Sequence, residues 1–520
     1  MIWLKRNWGL LVVGATLILI YSLLPLGTAL EFGRDEGYEV IKPFLCTKGF
    51  VLYKDIWNDQ PPIFTVLLTW AFKAWGPTIR VARLVAAGFG LLLFVTFFQL
   101  VRQRSGLWAS LLAAFLLLAS PAMLQLSVSV MLETPAFATA LVSALLLFQW
   151  SRRPHWGWLL ASGAVMGIAL QIKLTAALIV PAMLVEMALT RWSSRSQSWT
   201  RATAFDLAQW GATVVALFLA IGLVWASGSF QSSFQSHFME RPVPSHGRAE
   251  DYVLPAGLLR QHVDGLGGAV IGLALLVRRK HWREYMFPAV LLLTAAAIHA
   301  VHRPWWNYYY LHLAIPLAWL AGVGVKEIIS AATTFRPKAS FRLISGQSAK
   351  GVALCALAAL LLARPEKRLE ANIRDLRRRP TIVSSLVVKT MKQYAERTHW
   401  AYADPVIYPF HAQVLVPPEL AIVMLKRFWS GQITTAAIVE ACKRYHAEQL
   451  VLPATPAPEW RELLANEYTP ACAEQGWVLY VANSIYQPPN AGAAKVIVNS
   501  PATLSGSGAG QPPTVEMRSP

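Results

Sequence analysis

The stretch WGLLVVGATLILIYSLLPLGTALEFGRDEGYEV (residues 8–40) decides the fold, because a long apolar run leads almost directly into an Asp–Glu pair. The run reaches the ~20 apolar residues that a helix needs to cross a bilayer. It has no A-x-A-like cleavage site, so we predict a retained membrane helix and not a signal peptide. Lys5 and Arg6 place its start in the cytoplasm. Asp35 and Glu36 are therefore expected at the outer surface.

The composition of the whole chain agrees with a membrane protein. Of 520 residues, 55% are hydrophobic and 14% are charged, whereas soluble domains are roughly a quarter charged. The formal charge is +19, from 47 Lys and Arg against 28 Asp and Glu. The basic residues cluster in short loops between apolar runs, as the positive-inside rule predicts. This explains the excess of positive charge, and we expect no nucleic-acid partner.

The four cysteines form no C-x-x-C motif, so the sequence supports neither a zinc motif nor a redox motif. Cys442 and Cys472 share the C-terminal portion of the chain. Either they are two independent buried thiols, or they form a disulfide if that portion lies outside the cytoplasm.

The alternation of apolar runs and basic loops predicts a polytopic α-helical membrane protein with about eleven spans, or about twelve to thirteen if further runs cross. An odd number of spans places the C-terminal portion outside the cytoplasm. The stretch 61–75 is too short to span and is predicted to lie along the outer interface. The predicted spans lie near residues 8–30, 79–100, 107–126, 134–150, 156–172, 174–190, 207–227, 254–277, 284–301, 308–326 and 350–364.

Four segments follow from these patterns. Residues 1–364 form a membrane domain, in which 31–78 are the first external loop with an interfacial helix. Residues 365–380 (PEKRLEANIRDLRRRP) are a charged linker, with an interfacial helix on lipid headgroups as the alternative. Residues 381–489 form a small extracytoplasmic α/β domain, since a helix-like stretch precedes the strand-like QLVLPA and WVLYVANSIYQ. Residues 490–520 are rich in Gly, Ser, Pro and Ala and are predicted to be disordered.

Ionisable side chains gather at the outer ends of the predicted spans, where charged groups are costly and are functional candidates. Each has a structural alternative. The arginines could extend to lipid headgroups, Glu133 could stabilise a helix N-terminus, Lys173 could be an ordinary loop lysine, and WWNYYY (305–310) could be an interfacial aromatic belt. The charged set comprises Asp35, Glu36, Arg80, Arg83, Glu133, Lys173, His302 and Arg303.

The chemistry of this set suits an anionic, lipid-linked substrate. Cations such as Lys173 and Arg303 would hold a phosphate leaving group and neutralise its charge as it departs. A carboxylate such as Asp35 could take a proton from an attacking hydroxyl. A position at the membrane surface suits a donor whose tail lies in lipid and whose head group projects outward.

The motifs GRDEGYEV, GFVLYKDIWNDQPPIFTVLL and RVARLVAA, in this order, resemble the opening of the GT-C membrane glycosyltransferases. Among these, the motifs are similar to the bacterial relatives of protein O-mannosyltransferase and to the lipid A aminoarabinose transferase. MLETPAF resembles the second acidic motif of that family, GIALQIKLTAALIVPAML its Lys-bearing segment, and HRPWWNYYYLHLAIPLAWLAG its late aromatic stretch. The resemblance is strongest over residues 1–330.

The resemblance implies an inverting, single-displacement glycosyltransferase of the bacterial plasma membrane. It would move a sugar from a polyprenyl-phosphate donor to an extracytoplasmic acceptor, which could be a lipid, a protein or a glycan. Asp35 would be the base, with Glu36 in a positioning role. No cofactor is fixed, because some relatives bind a divalent metal (Mg²⁺ or Mn²⁺) through such acids, here Asp35 and Glu133, and others do not. The implied donor-binding residues are Tyr53, Asp55, Arg83, Glu133, Lys173, His302, Arg303, Tyr308 and Tyr309.

Two other classes of function remain open. A transporter or flippase also carries intramembrane charges, but such proteins usually show internal repeats and broken helices near the midplane. The sequence has no evident repeat, and its acids lie at one surface. A non-catalytic binder of lipid-linked sugars would not require the intact Asp35 and Lys173. A nucleotide-sugar enzyme is disfavoured, because the sequence has no Gly-rich phosphate loop and no D-x-D in a cytoplasmic domain.

Overall fold

A computed structural model describes residues 2–28, 34–192, 199–225, 253–278, 280, 282–334, 346–379 and 381–488. The chain divides into two compact units. The first comprises Met1–Leu52, Gln60–Gly228 and Tyr252–Thr381, and the second comprises Tyr53–Asp59, Ser229–Asp251 and Ile382–Pro520. The predicted disordered tail, residues 490–520, lies outside the described residues.

The first unit is helical throughout its described part. Two 3₁₀ turns, Leu174–Ile179 and Asn307–Tyr309, precede longer helices. Lys173 immediately precedes the first turn, and Tyr308 and Tyr309 lie in the second. The helices are Ile2–Ser22, Asp35–Thr47, Ile63–Trp75, Ile79–Leu118, Met123–Leu126, Glu133–Arg152, Trp156–Leu170, Val180–Trp192, Trp199–Trp225, Ala256–Gln261, Val263–Arg278, Trp282–Val301, Tyr310–Thr334 and Gly346–Arg378.

Six helical stretches in the described part of the chain are long and apolar enough to cross a membrane. This supports the prediction of a polytopic helical protein, while the predicted number of about eleven spans stays a prediction. Ile63–Trp75, the predicted interfacial helix, is among the shorter apolar helices. The six stretches are Ile79–Leu118, Glu133–Arg152, Leu174–Trp192, Trp199–Trp225, Arg283–Val301 and Asn307–Ala332.

Ile79–Leu118 is interrupted at the basic loop that the sequence analysis placed between two spans. Gly106 has φ 84° and ψ 179°, so the 40-residue element is two helices that meet at this residue. A positive φ of this kind is readily adopted only by glycine. The break falls at the end of VRQRSG (101–106), immediately before the predicted span 107–126.

Small residues bring the helices of this unit close together. A Cβ added to Gly322 would lie 2.6 Å from the backbone nitrogen of Ala113, and one added to Gly272 would lie 2.1 Å from the carbonyl oxygen of Leu320. These separations leave no room for a side chain. Close backbone approach through small residues is the usual way in which membrane helices pack.

Residues 365–378 of the predicted charged linker form the second half of a helix. Gly346–Arg378 is a single helix of 33 residues with Pro365 inside it. Arg368 anchors this half within the first unit, because its Nη2 donates to Oδ1 of Asp264 at 2.6 Å and its Nη1 to the carbonyl of Ala119 at 3.2 Å. The described part of this segment is therefore helical, and its role as a linker between the domains stays a prediction.

The second unit contains a four-stranded sheet in the order β1-β2-β4-β3. The strands are β1 Ala401–Ala403, β2 Gln449–Pro453, β3 Tyr468–Glu474 and β4 Trp477–Ala482. β1 and β2 are parallel and the other neighbours are antiparallel. The strand-like QLVLPA and WVLYVANSIYQ correspond to β2 and β4. The helices are Leu386–Gln393, Ile407–Ala412, Leu425–Trp429, Thr435–Arg444 and Arg461–Glu467.

The second unit also includes Tyr53–Asp59, a short piece of the predicted first external loop. The indole Nε1 of Trp57 donates to Oε1 of Gln432 at 2.8 Å, and the guanidinium of Arg427 lies 5.0 Å from the centroid of the Trp57 ring. Lys426 forms an ion pair with Asp59 at 3.5 Å. The predicted loop 31–78 is thus divided between the two units.

The cysteines Cys442 and Cys472 are both free and buried. Of the two alternatives that the sequence left open, the structure has the pair of independent thiols. Burial raises the pKa of each thiol above its usual value, since a thiolate is poorly solvated inside the unit.

Candidate active site

The Asp–Glu pair opens the helix Asp35–Thr47, where negative charge is favoured by the helix dipole. Its two carboxylates have different surroundings. Glu36 is fully buried, and its Oε1 and Oε2 accept from Nε and Nη2 of Arg83 at 2.9 and 2.8 Å. The backbone N–H of Val130 also donates to Oε1 at 2.9 Å. Glu36 is therefore held in place by three charge-assisted hydrogen bonds.

Arg83 is as deeply buried as its partner, with no exposed surface. Its remaining nitrogen, Nη1, donates to the carbonyl of Leu26 at 3.1 Å. The alternative in which this arginine reaches lipid headgroups is therefore wrong. Arg80, one turn earlier on the same helix, is exposed, and that alternative remains open for it.

Asp35 is only half-buried. It forms a side-chain hydrogen bond with Tyr308, and it lies near enough to Lys173 to interact electrostatically with the ammonium. The geometry thus separates the two acids, because Glu36 points into a buried ion pair while Asp35 faces a phenol and a cation.

Glu133 and Lys173 form a buried ion pair in the same unit. Glu133 begins the helix Glu133–Arg152, and Lys173 immediately precedes the turn Leu174–Ile179. Oε1 of Glu133 accepts from Nζ of Lys173. Glu133 is fully buried and Lys173 is 8% exposed. Oε2 of Glu133 has no hydrogen-bond partner among the described residues.

The Lys173 ammonium also lies over two aromatic faces. Its Nζ is 4.8 Å from the ring centroid of Tyr308 and 5.7 Å from that of Tyr309, which is within the range of cation–π attraction. The two rings meet edge to face, with centroids 5.0 Å apart. Lys173 is thus not an ordinary loop lysine but the centre of a charged and aromatic cluster.

The beginning of the late aromatic stretch lies beside this cluster. Trp305 is buried and meets Tyr309 edge to face at 6.0 Å, so it is not part of a surface belt. His302 is exposed. Arg303 is half-buried, and its Nη1 donates to the carbonyls of His299 at 3.2 Å and His302 at 2.9 Å.

Five of the eleven predicted site residues meet in one cluster of the first unit. Tyr53 and Asp55 belong to the second unit, where Asp55 interacts electrostatically with Tyr445. The sequence analysis missed His299 and His312, which pack against Tyr309. The signal that could have revealed them was the presence of histidine inside two apolar helices. The residues brought together are Asp35, Glu133, Lys173, Tyr308 and Tyr309.

The two predicted metal ligands do not fit a divalent ion as they stand. One carboxylate oxygen of Glu133 is bound to the Lys173 ammonium, and Asp35 faces the same cation. In the part of the chain that the structure describes, no group of three or more His, Cys, Asp or Glu side chains is placed to hold a metal.

Comparison with known proteins gives a family match and a fold. Residues 59–225 match the dolichyl-phosphate-mannose-protein mannosyltransferase family. ArnT from Cupriavidus metallidurans bound to undecaprenyl phosphate has a similar structure, with a TM-score of 0.63 at 15% identity over 93% of this chain and 100% of ArnT. The chain has the fold of the GT-C glycosyltransferases. No curated protein sequence matches it.

Two further structures agree with this fold. ArnT in the apo state has a TM-score of 0.62 at 16% identity, over 93% of this chain and 100% of ArnT. The archaeal oligosaccharyltransferase AglB from Archaeoglobus fulgidus, in complex with an inhibitory peptide and a dolichol-phosphate, has a TM-score of 0.53 at 12% identity, over 94% of this chain and 76% of AglB. The resemblance to the GT-C glycosyltransferases is confirmed, and the family match supports the predicted class of enzyme.

Proposed function

We propose that this protein is an integral-membrane, inverting glycosyltransferase that moves a sugar from a polyprenyl-phosphate donor to an acceptor hydroxyl or amine. The observation that carries the proposal is the meeting of a half-buried carboxylate, Asp35, with a buried ammonium, Lys173, in one unit. A base and a cation side by side are what single displacement at a glycosyl phosphate requires.

In the proposed reaction, the acceptor atom attacks the anomeric carbon from the face opposite the phosphate. The new bond from the acceptor to the sugar forms as the bond from the anomeric carbon to the phosphate oxygen breaks, which inverts the configuration. The acceptor proton passes to the Asp35 carboxylate. The hydrogen bond from Tyr308 fixes the orientation of that carboxylate.

The electron pair of the broken bond leaves with polyprenyl phosphate. Lys173 neutralises the charge that develops on the phosphate, because its ammonium is held in a buried site with little competing water. Glu133 and the faces of Tyr308 and Tyr309 fix the position of Nζ. Arg303, half-buried beside the aromatic stretch, adds a second positive charge.

The donor class is supported by the ligands of the structural relatives, undecaprenyl phosphate for ArnT and dolichol-phosphate for AglB. We place the reaction at the outer surface of a bacterial plasma membrane, with an extracytoplasmic acceptor and an extracytoplasmic second unit. The basic loops that flank the apolar runs support this orientation. Tyr53 and Asp55, which the second unit carries, have no assigned part in the proposed chemistry.

The test is transfer of label from radiolabelled polyprenyl-phosphate sugars in membranes that contain the wild type, Asp35→Asn or Lys173→Ala. Loss of the base is expected to reduce turnover by about 10²–10⁴-fold. Asp375→Asn, an exposed aspartate elsewhere in the first unit, is the matched control and should transfer at the wild-type rate.

Two results would count against the proposal. Normal turnover by Asp35→Asn would remove the proposed base. Absence of transfer by the wild type with every donor would favour the transporter or the non-catalytic binder, and translocation of the same lipids across a vesicle membrane, which only the transporter performs, would then separate those two.

A further inference from the structure

Two histidines that have no part in the chemistry above form a hydrogen-bonded pair. Nε2 of His299 and Nδ1 of His312 are 2.9 Å apart, and the two rings are within 9° of parallel. His312 has no exposed surface and His299 is 7% exposed. His299 lies near the end of the helix Trp282–Val301, and His312 lies near the start of Tyr310–Thr334.

The pair closes a loop that carries the aromatic residues of the candidate site. The two histidines are separated by 13 positions, and Tyr308 and Tyr309 lie between them. One hydrogen bond therefore joins the two ends of the segment that supports both tyrosines. A bond at this place restricts the backbone of the whole segment, and not only that of its own two residues.

The pair is also in direct contact with the aromatic cluster. Tyr309 stacks on His299 with centroids 5.2 Å apart and on His312 at 5.5 Å, each at 23°. Phe137, one turn beyond Glu133 on the same helix, also stacks on His312, with ring centroids 4.6 Å apart. Ring contacts thus join the histidine pair to Tyr309 and, through it, to Tyr308, and the Lys173 ammonium lies over the faces of these two tyrosines.

Packing alone does not explain two imidazoles at this position. Nδ1 of His299 and Nε2 of His312 have no hydrogen-bond partner among the described residues, although both are buried. Buried polar atoms without a partner are destabilising, and two phenyl rings would stack equally well without that penalty. What the imidazoles add is the hydrogen bond between them.

We propose that the His299–His312 hydrogen bond positions Tyr308 and Tyr309, and through their faces the Lys173 ammonium, for departure of the phosphate. This inference rests on the proposed function for its catalytic meaning, but its geometric content can be tested separately. The two histidines are positioning residues and have no contact with the reacting atoms in this assignment.

Two substitutions of His312 distinguish the contribution of its hydrogen bond to His299 from that of its stacking ring. In His312→Asn the side-chain amide places a polar atom near the position of Nδ1, so the bond to His299 can re-form while the stacking ring is lost. In His312→Phe the ring is kept and the bond is lost. His446→Asn is the control, because His446 is exposed in the second unit and its φ of 50° suits asparagine.

We expect kcat of His312→Phe to fall by about 10²-fold, as for an ångström-scale misplacement of a catalytic group. Apparent donor affinity should change much less, because the interaction with the departing phosphate strengthens in the transition state. His312→Asn should recover most of the lost kcat. Equal losses in the two variants, or a loss that lies wholly in donor affinity, would overturn the proposal.

A second measurement does not depend on turnover. Acetylation of Lys173 by acetic anhydride, read by peptide mass spectrometry in the purified full chain, should be slow in the wild type because the side chain is buried. We expect it to quicken in His312→Phe and to stay slow in His312→Asn. If the wild type transfers no sugar but the acetylation rates divide in this way, the proposed function fails and the positioning role stands. Equal rates in both variants would refute the positioning role regardless of activity.

Discussion

Replacing each of the two adjacent acids, Asp35 and Glu36, by its amide should affect a different property of the protein. The Glu36 and Arg83 side chains both have no exposed surface. Glu36→Gln therefore leaves the guanidinium of Arg83 buried with no opposing charge. Removing one partner of such a pair is destabilising by about 3–5 kcal/mol. The glutamine carbonyl can still accept from Val130 or from one guanidinium nitrogen, so we expect the lower end, about 3 kcal/mol.

Asp35→Asn should have little effect on stability and a large effect on turnover. Asp35 is half-buried, whereas Glu36 has no exposed surface, so the effect of Asp35→Asn on the free energy of unfolding should be within about 1 kcal/mol. Its effect should instead be on turnover, as described above for the proposed base. One substitution would therefore affect mainly stability and the other mainly the chemical step.

The assay is unfolding of the purified protein in mixed micelles with increasing SDS, followed by circular dichroism. The control is Glu370→Gln, because Glu370 forms an exposed ion pair with Arg374, at 2.6 Å, that should contribute less than about 1 kcal/mol. Glu36→Gln combined with Arg83→Met should recover much of the lost stability, since neither charge then remains buried. Equal stability of Glu36→Gln and Glu370→Gln would refute the reasoning.

Three shorter predictions concern packing and side-chain environment. Gly322→Val should sharply reduce the yield of folded protein, measured by size-exclusion chromatography, because a Cβ at this position already overlaps Ala113. Trp57→Phe removes the donor to Gln432 but keeps a ring for the arginine, so the second unit should lose about 1 kcal/mol of stability in a denaturant titration. Burial raises the pKa of the Cys442 thiol, so at neutral pH maleimide should add to it only on unfolding, as read by mass spectrometry of the peptide that contains Cys442; rapid labelling of Cys442 in the native protein would contradict this.

The parts of the site that could be predicted from sequence are those that carry a charge in an apolar context. Asp35, Glu133 and Lys173 were selected because ionised groups beside a membrane span require a reason, and the structure brings them together in one unit. The order of motifs added Tyr308 and Tyr309. What the sequence could not reveal is that Glu36 and Asp35, though adjacent, have different partners, since that depends on Arg83 in another helix.

Two other features could not be read along the chain for physical reasons. The Trp57 contact joins residues 375 positions apart, so the neighbours of Tyr53 and Asp55 in sequence say nothing of their place in the fold. Pro365 and the many charges of 365–380 indicate an interruption, because proline removes a helix hydrogen bond. The helix nevertheless continues to Arg378, and the salt bridge between Arg368 and Asp264 helps to hold it.

Because Tyr53–Asp59 belongs to the second unit, a fragment that contains this unit cannot be defined by a single stretch of the chain. A fragment that begins at Ile382 has the sheet and its helices but lacks the indole that Gln432 and Arg427 bind. In such a fragment the surface that contacts the Trp57 ring is exposed to solvent, and Lys426 lacks the Asp59 carboxylate with which it forms an ion pair. Isolating this unit as a soluble protein therefore requires grafting the seven-residue loop piece onto it, or supplying that piece as a separate peptide.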